Sequence, residues 1–216
     1  MVSCSITGGE NSIYGSAGRR YPDLLLKSTF SIVFAFLMAI SANAFVYLPF
    51  TPVPVTFQVL TVVFSALMLG GPWALAGQLI YVSMGLAGMP VFAGFIGGPA
   101  IFLGPTAGYI IGFAIAAYIS GSLFNNRQLN SILRDNTLAA GFISGTAGLL
   151  IIYLLGSVHL FGFLYPLSSR QQIVETARSV WLLGVKPFIL LDLIKILIAI
   201  KILESGSRDY EKYKNK

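Results

Sequence analysis

A long stretch without charge constrains this chain more than any other feature of its sequence. From Ser28 to Asn126, a run of 99 residues, there is no Asp, Glu, Lys, Arg or His. A helix needs about 20 apolar residues to cross the hydrocarbon core of a bilayer, so this run alone has room for four spans. Only 10% of the whole chain is charged, whereas soluble domains carry about 25%. The sequence therefore predicts a multi-pass protein of the cytoplasmic membrane.

Clusters of glycine and proline divide the apolar sequence into six predicted transmembrane helices, which gives an all-α polytopic fold. The spans are expected at about 29–48, 55–69, 73–85, 105–123, 138–158 and 181–203. A Gly/Pro-rich apolar loop at residues 90–104 separates the third span from the fourth. Irregular backbone at membrane depth persists only where protein buries it or a cavity hydrates it. We expect this outer loop to line or cover a site, with an ordinary external loop as the alternative.

The positions of the basic residues orient the six spans. With the N-terminus inside, ten Lys and Arg residues fall in cytoplasmic segments and two, Arg170 and Arg178, in external segments. The positive-inside rule then predicts that both termini are cytoplasmic. The chain divides into a flexible cytoplasmic leader at residues 1–27, a membrane domain at 28–204 and a basic cytoplasmic tail at 205–216. Topology and attraction to anionic lipid account for the net charge of +6, so no nucleic-acid partner is expected.

Two charged side chains interrupt the sixth predicted span. Asp192 and Lys195 are spaced i, i+3, which places them on one helix face. A charge at mid-bilayer costs about 2.5–3.5 kcal/mol on insertion scales, so the pair should face the helix bundle. It could bind a polar ligand there, or it could be a structural ion pair that fixes helix packing. Gln58 lies about one turn inside the outer boundary at a similar depth and is the next candidate.

Missing motifs exclude several function classes. The single cysteine rules out a disulfide framework, and one histidine argues against a His-ligated metal site. The dipeptide Gly-Lys does not occur, so the chain has no phosphate-binding loop for ATP hydrolysis. We therefore do not expect an enzyme, and we expect no catalytic residue, no metal and no cofactor.

Several motifs, in order along the chain, carry a resemblance to a known family. They are TPVPVTFQ at residues 51–58, GMPVFAG at 88–94, Gly97-Gly98, GPTAGY at 104–109, and Pro187-Phe188 followed by Asp192-x-x-Lys195. Together they resemble the BioY family, the biotin-specific substrate-binding (S) component of energy-coupling factor transporters. The resemblance covers residues 29–203 and leaves out the leader. Ala107 departs from the glycine often expected there.

The resemblance implies a function and a set of partners. A BioY-like S component binds biotin from the outside with high affinity, as a transported ligand rather than a cofactor. It works with a membrane coupling (T) subunit and two cytoplasmic ATPase subunits. Asp192 and Lys195 match the ligand-binding pair of the family, with Asp192 suited to accept a ureido N–H. Ala35 and Ala39 match the small-residue motif by which S components dock on the coupling subunit, since small residues let helices approach closely.

The outer loop is expected to act as a lid over the ligand. Aromatic side chains would surround the apolar ring of biotin, and glycines would bring backbone N–H groups close to it. The residues expected in these roles are Phe92, Phe95, Tyr109, Gly97 and Gly98.

Two other functions remain open from the sequence. A proton-coupled secondary carrier for a small carboxylate could use the Asp/Lys pair as a proton relay. A non-transporting membrane scaffold could use the small-residue stripes for assembly and keep the pair as a structural lock.

Overall fold

The computed structural model describes residues 20–134, 136–167 and 173–214, and the side chains of 24–134, 136–166 and 173–206. Residues 1–19 of the predicted leader, Arg170 and residues 215–216 lie outside this part of the chain. The α-helices are α1 (Arg20–Asn43), α2 (Gln58–Leu69), α3 (Gly71–Leu86), α4 (Ala107–Phe124), α5 (Arg127–Ile132), α6 (Thr137–Leu164), α7 (Ile173–Val180) and α8 (Ile189–Lys214). Two short strands, β1 (Phe45–Val46) and β2 (Val55–Thr56), pair antiparallel between α1 and α2.

Within the described residues, three helices are long and apolar enough to cross a membrane. They cover Leu24–Asn43, Ala107–Phe124 and Thr137–Leu164. The other predicted spans coincide with α2, which has 12 residues, with α3, which has 16, and with α8, which carries the charged pair. The structure thus confirms a mostly helical chain with apolar membrane helices, while the count of six spans stays a prediction.

Several predicted boundaries differ from the observed ones. The first span was expected to reach residue 48, but α1 ends at Asn43 because residues 45–46 pair with 55–56 as strands. At its other end, α1 begins at Arg20, within the segment predicted as leader. The fifth span continues to Leu164 rather than 158. The sixth is not one helix from residue 181, because a π-turn over Trp181–Val185 separates α7 from α8.

Glycines on α4 and α6 bring these two helices into close contact. A Cβ atom added to Gly108 would collide with the backbone carbonyl of Leu155, and one on Gly112 would lie 3.0 Å from the Cα of Ile152. Removal of side-chain bulk along one stripe is what permits such an approach between membrane helices. The glycines therefore allow α4 and α6 to pack side by side at short distance.

The small residues of α1 pack inside the chain. Ala35 is 0% exposed and belongs to the hydrophobic core, while Ala39 is half-buried against that core. On the same face of α1, the hydroxyl of Ser31 donates a 2.8 Å hydrogen bond to the carbonyl of Trp73, at the start of α3. The methyl group of Ala35 is thus covered by the chain itself, and both alanines contribute to packing within the bundle. The docking role expected for Ala35 and Ala39 stays a prediction.

Candidate ligand-binding site

A cavity of about 220 Å³ lies among the helices and the outer loop. Helices α2, α3, α4, α6 and α8 all contribute side chains to its wall, and the outer loop contributes Phe92, Ala93 and Ile96. Most of the lining is apolar, and a few polar side chains converge on it. An apolar pocket with a small number of placed polar groups is the usual form of a small-molecule site.

The charged pair of α8 forms the most polar part of the cavity wall. Asp192 is 3% exposed and Lys195 is 8% exposed. Lys195 Nζ lies 2.6 Å from Asp192 Oδ1, and the hydroxyl of Tyr153 on α6 donates to Asp192 Oδ2 over 2.7 Å. Charges are tolerated at such burial when they are paired and hydrogen-bonded. The predicted inward orientation of the pair is therefore confirmed.

A break in the helix precedes this pair. The π-turn over Trp181–Val185 closes with a hydrogen bond from the N–H of Lys186 to the carbonyl of Trp181. Proline has no N–H, so Pro187 gives no helical donor to the carbonyl of Leu183. The N–H of Phe188 bonds the carbonyl of Val185 rather than that of Gly184. Two carbonyl groups, that of the partly buried Leu183 and that of the buried Gly184, are thus left without a helical partner.

Side chains from two distant elements satisfy these carbonyls. The hydroxyl of Thr51, in the segment between β1 and β2, donates to the carbonyl of Leu183 over 2.6 Å. The hydroxyl of Tyr109 on α4 donates to the carbonyl of Gly184 over 2.9 Å. Irregular backbone at membrane depth needs such replacements, because no bulk water is available there. Tyr109 lines the cavity as predicted, but its hydroxyl already has a backbone partner.

Gln58 belongs to a second polar group in the cavity wall. It is the first residue of α2, and its Nε2 donates to the hydroxyl of Tyr81 over 3.1 Å. The hydroxyl of Thr56 donates to Gln58 Oε1 over 3.1 Å. Gln58, Asp192 and Lys195 line the same cavity, which is the juxtaposition expected from their similar depth. Thr56 and Tyr81 together orient the side-chain amide of Gln58.

The outer loop forms part of the cavity wall through the side chain of Phe92. Phe92 is 1% exposed and packs edge-on against Tyr81, with ring centroids 5.5 Å apart. The loop is tied to α1 by the amide of Asn43, which accepts from the N–H of Phe95 at 2.7 Å and donates to the carbonyl of Val91 at 3.4 Å. The outer loop, which was expected to line a site, therefore lines this cavity.

Three loop residues expected at the ligand lie outside the cavity lining. Phe95 is 70% exposed and does not line the cavity. The N–H of Gly98 donates to the carbonyl of Gly85 over 2.7 Å, so it is not free for a ligand. A side chain on Gly97 would collide with the carbonyl of Met89. The two glycines therefore let the loop pack on the end of α3, and Ile96 lines the cavity in place of Phe95.

Sequence reasoning did not single out Tyr153. The one feature of the sequence that could have indicated it is a tyrosine hydroxyl within an apolar predicted span. A buried tyrosine hydroxyl usually finds a hydrogen-bond partner. That signal is shared with the other tyrosines of the membrane domain, and the sequence alone does not show that α6 packs beside α8.

Known proteins resemble this chain over most of its length. The model of the BioY family matches residues 20–212. A protein of Thermotoga maritima named "Biotin transporter BioY" is 36% identical over 164 residues, which cover 76% of this chain and 86% of that protein. A "Probable biotin transporter BioY" of Pyrococcus horikoshii is 37% identical over 175 residues, with coverage of 81% and 93%.

A solved structure shares the fold. It is described as "Crystal structure at 2.1 A of the S-component for biotin from an ECF-type ABC transporter" and matches with a TM-score of 0.69 at 22% identity. The match covers 91% of this chain and 95% of that one. The family model extends over most of the chain, and the relatives align over most of their own length. The chain belongs to the BioY family.

Proposed function

We propose that this protein binds biotin from the outside with high affinity and takes it up across the cytoplasmic membrane as the S component of an ATP-driven energy-coupling factor transporter. The buried Asp192–Lys195 pair in the wall of a mainly apolar cavity carries the proposal. Membership of the BioY family and the names of the relatives support it.

The cavity matches the functional groups of biotin. The ureido ring offers two N–H donors and one carbonyl acceptor. Asp192 is an acceptor for a ureido N–H. Lys195 has three N–H donors and one partner among the described residues, Asp192 Oδ1, so two donors remain for the ureido oxygen. The apolar thiophane ring fits beside side chains such as Phe92, Phe113 and Phe188.

The transport role requires partners and a topology. We propose six membrane spans with both termini in the cytoplasm, supported by the ten-to-two distribution of basic residues. The chain has no phosphate-binding loop, so ATP hydrolysis falls to two cytoplasmic ATPase subunits joined through a membrane coupling subunit. Cysteine accessibility at single sites in the 125–136 loop, expected inside, and at residues 94–96, expected outside, tests the orientation.

Equilibrium binding of radiolabelled biotin to the purified protein in detergent tests the central proposal. The expected result is one biotin bound per chain, displaced by unlabelled biotin and not by a short fatty acid. No saturable binding would overturn the proposed ligand.

Reconstitution tests the energy source. Uptake into liposomes should require the coupling subunit, the ATPases and ATP. Uptake by this chain alone under a proton gradient would instead identify a secondary carrier. Binding without uptake in either system would contradict the transport role.

A further inference from the structure

Tyr153 on α6 hydrogen-bonds one oxygen of the buried carboxylate of Asp192 on α8. Tyr153 of α6 is partly buried and lines the cavity, and its hydroxyl donates to Asp192 Oδ2 over 2.7 Å. In the part of the chain that the structure describes, it is the one side chain outside α8 that hydrogen-bonds the charged pair. The contact joins residues that are 39 positions apart.

The two donors of Asp192 act on different oxygens. Lys195 bonds Oδ1 and Tyr153 bonds Oδ2. A carboxylate has about four lone-pair sites, so each oxygen keeps acceptor capacity for a further donor. A carboxylate held from both sides by donors on two helices is restrained from rotating about its Cβ–Cγ bond. The directions of its remaining lone pairs are thereby fixed before any ligand arrives, which reduces the cost of ordering the site on binding.

We propose that Tyr153 is a positioning residue that orients the Asp192 carboxylate to accept an N–H donor of a cyclic urea ligand. The inference rests on the proposed function, since biotin supplies the cyclic urea. Tyr153 acts through Asp192, whose oxygen accepts the ligand proton. The side chain thus contributes to recognition of the ureido group rather than of the apolar ring.

A purely structural role for Tyr153 makes a different prediction. A hydroxyl that only satisfies a buried carboxylate would change every ligand's affinity by the same factor. A positioning hydroxyl affects the ligands that donate to Asp192 and leaves unaffected those that have no N–H to offer there. Ligand analogues that differ at one ureido nitrogen therefore separate the two roles.

The experiment compares Tyr153→Phe with the wild-type chain. The ligands are biotin and its two analogues methylated on one or the other ureido nitrogen, each measured by equilibrium binding to monodisperse protein. We expect the Kd for biotin to rise about tenfold, because a carboxylate that Tyr153 no longer restrains has to be ordered when the ligand binds. For one of the two methylated analogues, the Kd of Tyr153→Phe should equal that of the wild type. The thermal unfolding temperature of the ligand-free variant reports its folding.

Two tyrosine variants serve as controls. Tyr109→Phe removes a hydroxyl in the same cavity that bonds the backbone of Gly184, so its effect on Kd should be the same for all three ligands. Tyr118→Phe removes an exposed hydroxyl on α4 and should leave all three Kd values unchanged.

The outcomes distinguish this inference from the proposed function. An unchanged Kd for biotin in Tyr153→Phe, or an equal factor of loss for all three ligands, overturns the positioning role while the ligand assignment stands. Absence of biotin binding to the wild-type chain overturns the proposed function itself.

Discussion

The hydroxyl of Thr51 donates a 2.6 Å hydrogen bond to the carbonyl oxygen of Leu183, 132 positions away in the chain. This bond replaces the helical donor that Pro187 does not have. It connects the segment between the two short strands to the π-turn that precedes α8. Since α8 carries Asp192 and Lys195, the bond holds the outer segment against the element that positions the charged pair.

Thr51→Val should destabilise the protein, because it removes the buried hydroxyl of Thr51 that donates to the partly buried carbonyl of Leu183. A buried unsatisfied acceptor costs about 1–3 kcal/mol of the free energy of unfolding. Thermal unfolding in detergent measures the effect as a lowered midpoint. Thr29→Val is the matched control, since Thr29 is exposed and bonds a carbonyl of its own helix. Equal midpoints for both variants would contradict the assigned role of Thr51.

Breaking the charged pair should weaken biotin binding strongly. Asp192→Asn and Lys195→Ala each leave a buried partner uncompensated, which costs about 3–5 kcal/mol of the free energy of unfolding. Each also removes a polar partner of the ligand, and a loss of about 3 kcal/mol of binding free energy corresponds to a rise in Kd of about 150-fold. The double variant Asp192→Asn/Lys195→Met should unfold at a higher temperature than either single variant, because no unpaired charge remains.

The surface offers a matched control for this experiment. Lys201 and Glu204 form an ion pair of the same i, i+3 spacing on α8, but the side chain of Lys201 is well exposed. Exposed pairs contribute about 0–1 kcal/mol, so Lys201→Ala should leave biotin affinity unchanged. Wild-type affinity in both single variants of the buried pair would show that the pair is not the binding site.

The close contact between α4 and α6 should not tolerate a methyl group. In Gly108→Ala the new Cβ collides with the carbonyl of Leu155, and overpacking of this kind costs about 1–3 kcal/mol. Gly162 lies on the same helix as Leu155 and has open space around it. Gly162→Ala should therefore be neutral or stabilising by up to about 1 kcal/mol. Thermal midpoints of the two variants test the contrast, and an equal change in both would refute it.

The outer loop should become protected when ligand binds. Phe92, Ala93 and Ile96 line the cavity, and closure over an apolar ring would bury them further. Hydrogen exchange at residues 90–104 should slow at saturating biotin, while exchange at residues 127–132 in α5 should not change. Equal exchange in the outer loop with and without biotin would show that the loop is a rigid cover.

Much of the site could be predicted from local sequence. Charge is so costly in a membrane that Asp192 and Lys195, three positions apart, had to share the inner face of a helix. Proline and glycine likewise predicted where α2, α3 and α4 begin or end within a few residues. These inferences need only the chain's own spacing and the properties of the bilayer.

Other features of the site depend on which helices and loops pack against one another. The spacing of residues along the sequence does not show which elements become neighbours. Ala35 was expected at a partner, and the structure shows that it also packs in the core of its own bundle. Gly98 was expected at the ligand, yet its N–H donates to the carbonyl of Gly85 at the end of α3. The contact of Tyr153 with Asp192 requires that α6 and α8 lie side by side. Each outcome was decided by tertiary packing.

The pairing of Lys195 with Asp192 determines the electrical character of the cavity. The remaining lining residues carry no formal charge, so the charges of the ion pair cancel and the wall is neutral overall. A monocarboxylate such as biotin then carries its own negative charge inward uncompensated. With the cell interior negative, that movement costs about 2.3 kcal/mol per 100 mV. The membrane potential would thus oppose import of such an anion, and the uptake that we propose needs an energy source other than this potential.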